Sequence, residues 1–293
     1  MLTTVTDATR ARSSLDLFSV DMFSCGKSLR RLCLATISKS PKKAPWLIRA
    51  KRWGHWLLRG HISRRIIIQK HFRKLVRNIQ IAPGDLPIQK PDWLRTDIYT
   101  GDIYIDCTKR LPFPDNSVDL FFFEHFLEHL HYEPAVQFLS EIYRTLKPSG
   151  TVRISVPDLK KLAQIYVAQD EEVLREFLSV LQKIVPDDAV LAQRSRLLPS
   201  EFINVLFYAF DHSTAWDFEL MKETLETIGF GDIEEFREGE SRREELQAIE
   251  RHGEIDTTNS LYTFSIEAVK SNKEIAGQRE LASSVKRILS QRM

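Results

Sequence analysis

Four acids and two histidines stand where β-prone stretches run into turns or helix starts: Asp97, Asp106, Glu124 and Glu128, with His125 and His129. These residue types can do three kinds of chemistry. A carboxylate has two acceptor oxygens, enough for both hydroxyls of a ribose, and an acid on the next strand can accept from an exocyclic amine. A histidine three residues from a carboxylate at a helix start shares a face with it, and either can act as a general base. Two histidines four apart, here His125 and His129, can hold a metal with the acid between them as base. A zinc site needs a third ligand and no downstream residue stands out as one, so no metal is expected.

The elements that must position these residues alternate. Asn78–Ala82 is a short apolar run ending at Pro83-Gly84, a strand into a turn. Trp93–Ile98 and Ile103–Asp106 are two more short strands. Val118–Phe123 is a continuous β-prone run, as in a strand buried on both faces. Pro134–Leu146 has the apolar spacing of an amphipathic helix, and Lys147-Pro148-Ser149-Gly150 reads as its stop. Thr151–Val156 is the next strand. Residues 159–210 read as helical, with Asp158 either an N-cap or a lining residue of the acceptor side. Asp217–Ile228 is a helix closed by Gly229. Ile233–Phe236 and Leu261–Val269 form a late strand pair joined by the charged connector Arg237–Asn259.

Alternating strands and helices predict an α/β fold, a Rossmann-like and mostly parallel sheet with a late antiparallel strand and helices on both faces. Ligands in such sheets bind at the carboxyl ends of the strands. The strand-end positions are Ala82-Pro83-Gly84, Asp97-Ile98, Asp106-Cys107 and Glu124-His125. A turn poor in side chain, followed by acids on the next two strands, is the layout of a nucleoside bound across a sheet edge.

Composition sets the bounds. The chain has 293 residues, 43% of them apolar, enough to bury a core without disulfides or metal. Cys25, Cys33 and Cys107 are an odd number at unrelated spacings, which fits a reducing compartment rather than a disulfide framework. No apolar run approaches a membrane span, and the acids Asp7, Asp16 and Asp21 argue against a secretory signal. The expected location is cytoplasmic. Sixteen Lys and Arg and no acid lie between Met22 and Gly84, so a net charge of +2 conceals about −14 elsewhere. With Trp46, Trp53 and Trp56, this stretch suits either a solvated helical face or peripheral contact of 22–77 with an anionic surface, a membrane included. The domain reading is a poorly ordered 1–45, a basic helical lead-in 46–77, a catalytic-type domain 78–270 with a helical insertion 159–215, and a polar tail 271–293.

Three motifs carry a family resemblance: Leu111-Pro112-Phe113-Pro114-Asp115-Asn116-Ser117-Val118-Asp119, then His125-Phe126-Leu127-Glu128-His129-Leu130, then Leu146-Lys147-Pro148-Ser149-Gly150-Thr151 followed by Val156-Pro157-Asp158-Leu159. Together they resemble the class I S-adenosylmethionine-dependent methyltransferases, strongly over 78–160 and loosely over 210–270, where His212 and Gly229-Phe230 match. The resemblance implies a seven-stranded sheet and S-adenosyl-L-methionine as cofactor. It implies that Ala82, Pro83 and Gly84 lie under the methionine part, Asp97 and Ile98 at the ribose, and Asp106 and Cys107 at the adenine edge. Glu124 and His125 would face cofactor and substrate, with His125 and Glu128 as catalytic candidates. Two departures stand out. Ala82 replaces the first glycine of the usual turn, and only 13 residues separate Gly84 from Asp97, so the first crossover helix should be short or absent.

The function expected is methyl transfer to a small-molecule or glycan-type acceptor, the glycan by analogy with relatives bearing the LEH and VPDL motifs. The first alternative is a methyltransferase fold that has lost catalysis and serves as a binding or scaffold protein. A nucleic-acid methyltransferase is disfavoured because the Asn-Pro-Pro-Tyr type motif is missing after the fourth strand. An H-x-x-E-H zinc hydrolase is disfavoured because the flanking motifs explain the same residues without metal.

Overall fold

The structure, a computed structural model, describes residues 64–74, 77–98, 101–184 and 189–271, all within one compact unit, Lys42–Met293. The expectations for 1–45, for most of the basic lead-in and for the tail beyond 271 lie outside the described residues. Within the lead-in, Arg64–His71 is helical (α1), and Ile67, Ile68 and Phe72 pack on the main core.

Seven strands form one sheet in the order β3-β2-β1-β4-β5-β7-β6. They are β1 Asn78–Ile81, β2 Trp93–Asp97, β3 Ile103–Tyr104, β4 Val118–Glu124, β5 Leu146–Pro157, β6 Phe230–Phe236 and β7 Thr263–Lys270. The pairs β2–β3, β1–β2, β1–β4 and β4–β5 are parallel, and β7 runs antiparallel to both β5 and β6. The predicted late antiparallel strand is therefore β7, set between two strands that point the other way. Its start corrects the expected one, because Leu261 belongs to the short helix α8, Asn259–Tyr262. β5 also begins earlier than expected. The Lys147-Pro148-Ser149-Gly150 segment sits inside the strand, with Ser149 at φ 62° and a register shift opposite Val118 and Leu120.

β4 shows why the sheet holds. Its period-2 alternation sends Phe121 and Phe123 to one face and Leu120 and Phe122 to the other, all four at most 2% exposed. The first face is covered by α2 (Tyr132–Thr145) and α7 (Phe218–Ile228), through Phe138, Leu139 and Ile142 from one and Met221, Leu225 and Ile228 from the other. Asp217 caps α7 by accepting from the Leu220 N–H at 2.8 Å, and Gly229 closes it at φ 118°.

Among the described residues no α-helix covers the second face over β1, β2 and β4. β1 passes directly to β2 through 82–92, so the first crossover helix is absent. The β6–β7 connector takes its place, laying Leu246 and Ile249 on Trp93, Leu120, Phe122 and Ile88. Beside this apolar patch the same face is polar. Arg153, fully buried on β5, pairs with Glu250 of the connector and, at 2.5 Å, with Glu267 of β7. A separate core is built from α3 (Leu159–Ala168), α4 (Glu171–Ile184), α5 (Ala189–Ala192) and α6 (Pro199–Asn204), centred on Leu162, Phe177 and Phe202 together with Tyr262 of α8.

Candidate active site

The predicted site residues line the carboxyl edge of the parallel strands. At the β1 end, Ala82 has φ 48° and Gly84 φ 52°, so the turn is left-handed at both. Pro83 closes it by accepting from the Leu86 N–H at 2.9 Å. A Cβ placed on Gly84 would meet nothing within 4 Å, so there is open space above the turn. Buried Gln80 pins the helix-free connection, accepting from the Ile88 N–H at 2.8 Å and donating to the Leu86 carbonyl at 3.3 Å. Asp97 ends β2 with its carboxylate facing Gly84, whose N–H lies 3.4 Å from Oδ2. The turn and the acid assigned to one nucleoside are thus brought together. Ile98 follows, half-exposed. Asp106 is engaged locally: its Oδ1 accepts from the Thr108 hydroxyl at 2.6 Å and the Thr108 N–H at 3.1 Å, and Lys109 pairs with Oδ2 at 2.9 Å. The adjoining Cys107 packs on the main core, and burial pushes its thiol up.

The β4 end is built differently. Glu124 accepts from the backbone N–H groups of Arg251 and His252 at 2.9 and 3.0 Å. Burial raises its pKa against the pull of those two amides. Arg251 also donates through Nη1 to the Pro87 carbonyl at 2.7 Å. The connector therefore straps the edge from the end of β4 to the β1–β2 loop. β1 lies between β2 and β4, so Asp97 and Glu124 stand about 10 Å apart, two strand spacings.

Beyond Glu124 lies a cluster of histidines. His125 takes φ 47°, in the left-handed region that few non-glycine residues adopt, while its N–H donates to the Ser155 carbonyl at 2.9 Å. Its ring stacks on His252 at 3.8 Å between centroids. Nδ1 lies 3.1 Å from Glu128 Oε1, and Nε2 lies 2.7 Å from Asn259 Oδ1. The Asn259 amide nitrogen donates to Glu238 at 3.2 Å, which fixes its oxygen toward His125. Each imidazole nitrogen thus lies close to a side-chain oxygen. Burial opposes charge on the ring, but the neighbouring Glu128 outweighs it and raises the His125 pKa. Burial likewise opposes the Glu128 charge, and His125 overrides it to hold the carboxyl well below its usual range. The two catalytic candidates are brought together as a buried ion pair.

His212 and His252 complete the cluster. Burial lowers them to about 4 and about 3 against the opposing pull of the Glu128 carboxylate, so both are neutral near pH 7. Asp158 serves as the N-cap of α3, accepting from the Lys160 N–H at 2.9 Å. The sequence reading missed Arg251, His252 and Asn259. They sit in a charged connector with no periodicity, and only the fold brings them back to the end of β4.

A seven-stranded sheet in this order, with a glycine turn and acids on its carboxyl edge, is a class I methyltransferase fold. Residues 75–154 match the family model described as a methyltransferase domain. No curated protein matches the chain by sequence. Among solved structures, one similar chain is a SAM-dependent methyltransferase from Archaeoglobus fulgidus, 20% identical with a TM-score of 0.39, covering 78% of this chain and 100% of that one. Another is the CurJ carbon methyltransferase, 17% identical with a TM-score of 0.36, covering 70% of this chain and 52% of that one. A third is phosphoethanolamine N-methyltransferase 2 from Haemonchus contortus, 13% identical with a TM-score of 0.38, covering 72% and 53%. The chain spans about half the length of the last two. At such scores these likenesses carry nothing further, and the fold rests on the strand order itself.

Proposed function

We propose that the protein is an S-adenosylmethionine-dependent methyltransferase acting on a small-molecule or glycan-type acceptor. The observation that carries this reading is the meeting of Gly84 and Asp97 at the carboxyl ends of adjacent parallel strands, beneath open space. The residues present fit the nucleoside end of the cofactor. Asp97 would accept from the ribose hydroxyls, Gly84 would let the backbone approach closely, and Ile98 would offer apolar surface beside them. S-adenosylmethionine, when bound, supplies a methyl group made electrophilic by its sulfonium.

The work left to the chain is mainly alignment, so holding the acceptor in line accounts for most of the rate. The His125–Glu128 pair contributes a fixed, buried charge arrangement beside the edge. The acceptor side is formed by the insertion and by the segment around His212. The glycan option rests on the likeness of the LEH and VPDL motifs to a subgroup, which is analogy. Among the described residues no helix is long and apolar enough to cross a membrane. Peripheral contact through 22–77 and a cytoplasmic location belong to the same proposal.

A second reading, a methyltransferase fold used for binding without catalysis, is favoured by the strap: Glu124 is already satisfied by Arg251 and His252. Calorimetric titration of S-adenosylmethionine and S-adenosylhomocysteine separates the two. The enzyme reading expects binding by the wild type and at least a tenfold weaker Kd for Asp97→Ala, about 1.4 kcal/mol or more. No heat and no thermal shift at millimolar ligand would leave the binding reading, and equal binding by both proteins would mean that the ribose contact is misplaced.

A further inference from the structure

The reaction proposed above leaves part of the histidine cluster without a task. Glu128, His129 and His212 each offer one ligand atom, and the three atoms lie within 4.8 Å of one another. The carboxylate is unusual. Glu128 is 1% exposed, and neither of its oxygens makes a hydrogen bond. His125 Nδ1 stands 3.1 Å from Oε1, an ion-pair contact without hydrogen-bond alignment, and His212 Nε2 stands 3.9 Å from the same oxygen. Buried carboxylate lone pairs are ordinarily taken up by hydrogen bonds, and here they point toward two imidazoles.

The backbone holds these groups together independently of the side chains. The N–H groups of Ser213 and Thr214 both donate to the Glu128 carbonyl, at 2.7 and 3.0 Å. The Thr214 hydroxyl donates to the Leu130 carbonyl at 2.7 Å, across 84 residues of sequence. The rings of Phe207 and Phe210 flank His212 at 6.4 and 6.2 Å. His129 is exposed, which leaves the cluster open to solvent on one side.

We propose that Glu128, His129 and His212 form a binding site for a divalent transition-metal ion, with zinc the best match and a fourth position open to solvent. Two imidazole nitrogens and one carboxylate oxygen are a three-ligand set zinc accepts in tetrahedral sites that keep one place for water or substrate. Calcium and magnesium prefer all-oxygen shells. Tetrahedral bonds of about 2.1 Å put ligand atoms about 3.4 Å apart, so the cluster closes on the ion by side-chain shifts of about 1 Å. His125 then acts as a positioning residue, holding the carboxylate from behind. This set differs from the inverted peptidase pattern in the sequence: Glu128 moves from base to ligand, His125 leaves the ligand set, and His212 enters it. The open position would take water or an acceptor oxygen. The site does not depend on whether the cofactor binds.

The test uses the full chain, stripped with EDTA and dialysed. Zinc is titrated by calorimetry, and cobalt(II) by its visible absorption, which is intense only in tetrahedral coordination. One zinc per chain is expected, with tetrahedral cobalt bands. His212→Ala and Glu128→Gln should each weaken zinc by more than about 100-fold, since loss of a ligand exceeds the 10- to 100-fold typical of a supporting residue. His129→Ala, at an exposed position, should do the same with thermal stability of the metal-free protein unchanged. The exposed neighbour His131→Ala should leave affinity unaltered. Absence of stoichiometric zinc binding by the wild type would overturn the site, as would equal affinities of His129→Ala and His131→Ala.

Discussion

The two halves of the carboxyl edge are held by contacts of different reach. On the β1–β3 side the partners are close in sequence: Gln80 with Leu86 and Ile88, Gly84 with Asp97, Asp106 with Thr108. On the β4–β5 side they are remote. Glu124 meets residues 127 and 128 positions away, His125 meets Asn259 across 134, and Arg153 meets Glu250 and Glu267 across 97 and 114. The first half is shaped by contacts within its own loops, to which the connector adds the Arg251 bond to the Pro87 carbonyl and the packing of Leu246 and Ile249 on Ile88 and Trp93. The second exists only when the β6–β7 connector has returned to the sheet, so its charges are tied to the global fold. A nucleoside-type ligand would meet the local half, and the polar cluster proposed to hold metal belongs to the remote half.

The largest expected effect breaks the remote half. Arg153 is fully buried between two carboxylates, so Arg153→Met leaves Glu250 and Glu267 buried and unpaired. Unfolding in urea should show a loss of about 3–5 kcal/mol. Adding Glu250→Gln and Glu267→Gln to the same chain should recover much of it, because the penalty belongs to the stranded charges rather than to the missing pair. If Arg153→Met costs under 1 kcal/mol, the network is not what anchors the connector.

That contrast also decides what was legible in the sequence. β4 announces itself by an unbroken apolar run, α2 by its periodicity, and the cap at Asp158 by residue type before a helical stretch. Asp97 and Gly84 could be paired in advance because adjacent parallel strands in a short βxβ unit bring their ends together. The connector could not be read, because Leu246 and Ile249 are two apolar residues among many charges. The one available signal was Arg153, a full charge in the strand Thr151–Val156, which has to find buried partners. His212 was noticed as a motif residue, but no spacing rule relates it to Glu128, 84 positions away. Its place there is made by hydrogen bonds from Ser213 and Thr214.

A smaller effect separates the two histidines that stack at the junction. His252 is lowered by burial from 6.5 to about 3 in the fold, so between those values the unfolded chain binds the extra proton. Its contribution is therefore present above pH 6.5 and lost as pH falls toward 3, with a slope of about 1.4 kcal/mol per pH unit for one proton. His125 has the opposite sign, since its folded pKa is raised. Its contribution is complete below pH 6.5 and fades as pH rises through the folded value. Denaturation in EDTA across pH 4–7 should show stability falling with acid. His252→Phe, which keeps a ring against His125, should remove close to one proton from that slope. An unchanged slope would mean that His252 is protonated in the folded state.

The smallest expected effect lies in the local half and tests whether its turn is strained. Ala82 sits at φ 48°, where a Cβ costs roughly 1–2 kcal/mol. Glycine removes that penalty but adds roughly 0.4–1 kcal/mol of freedom to the unfolded chain. Ala82→Gly should therefore be slightly stabilising, by about 0.5 kcal/mol, in thermal or urea unfolding. The turn is fixed by the Ala82 N–H donating to the Thr96 carbonyl at 2.7 Å, which the substitution leaves intact. Its effect on the cofactor is sharper, because removing a methyl where the backbone must come close should tighten S-adenosylmethionine binding. Tighter binding with so small a gain in stability would place the ligand over the β1 turn. A clear loss of stability would show that Ala82 is held in the left-handed region by packing of its methyl rather than in spite of it.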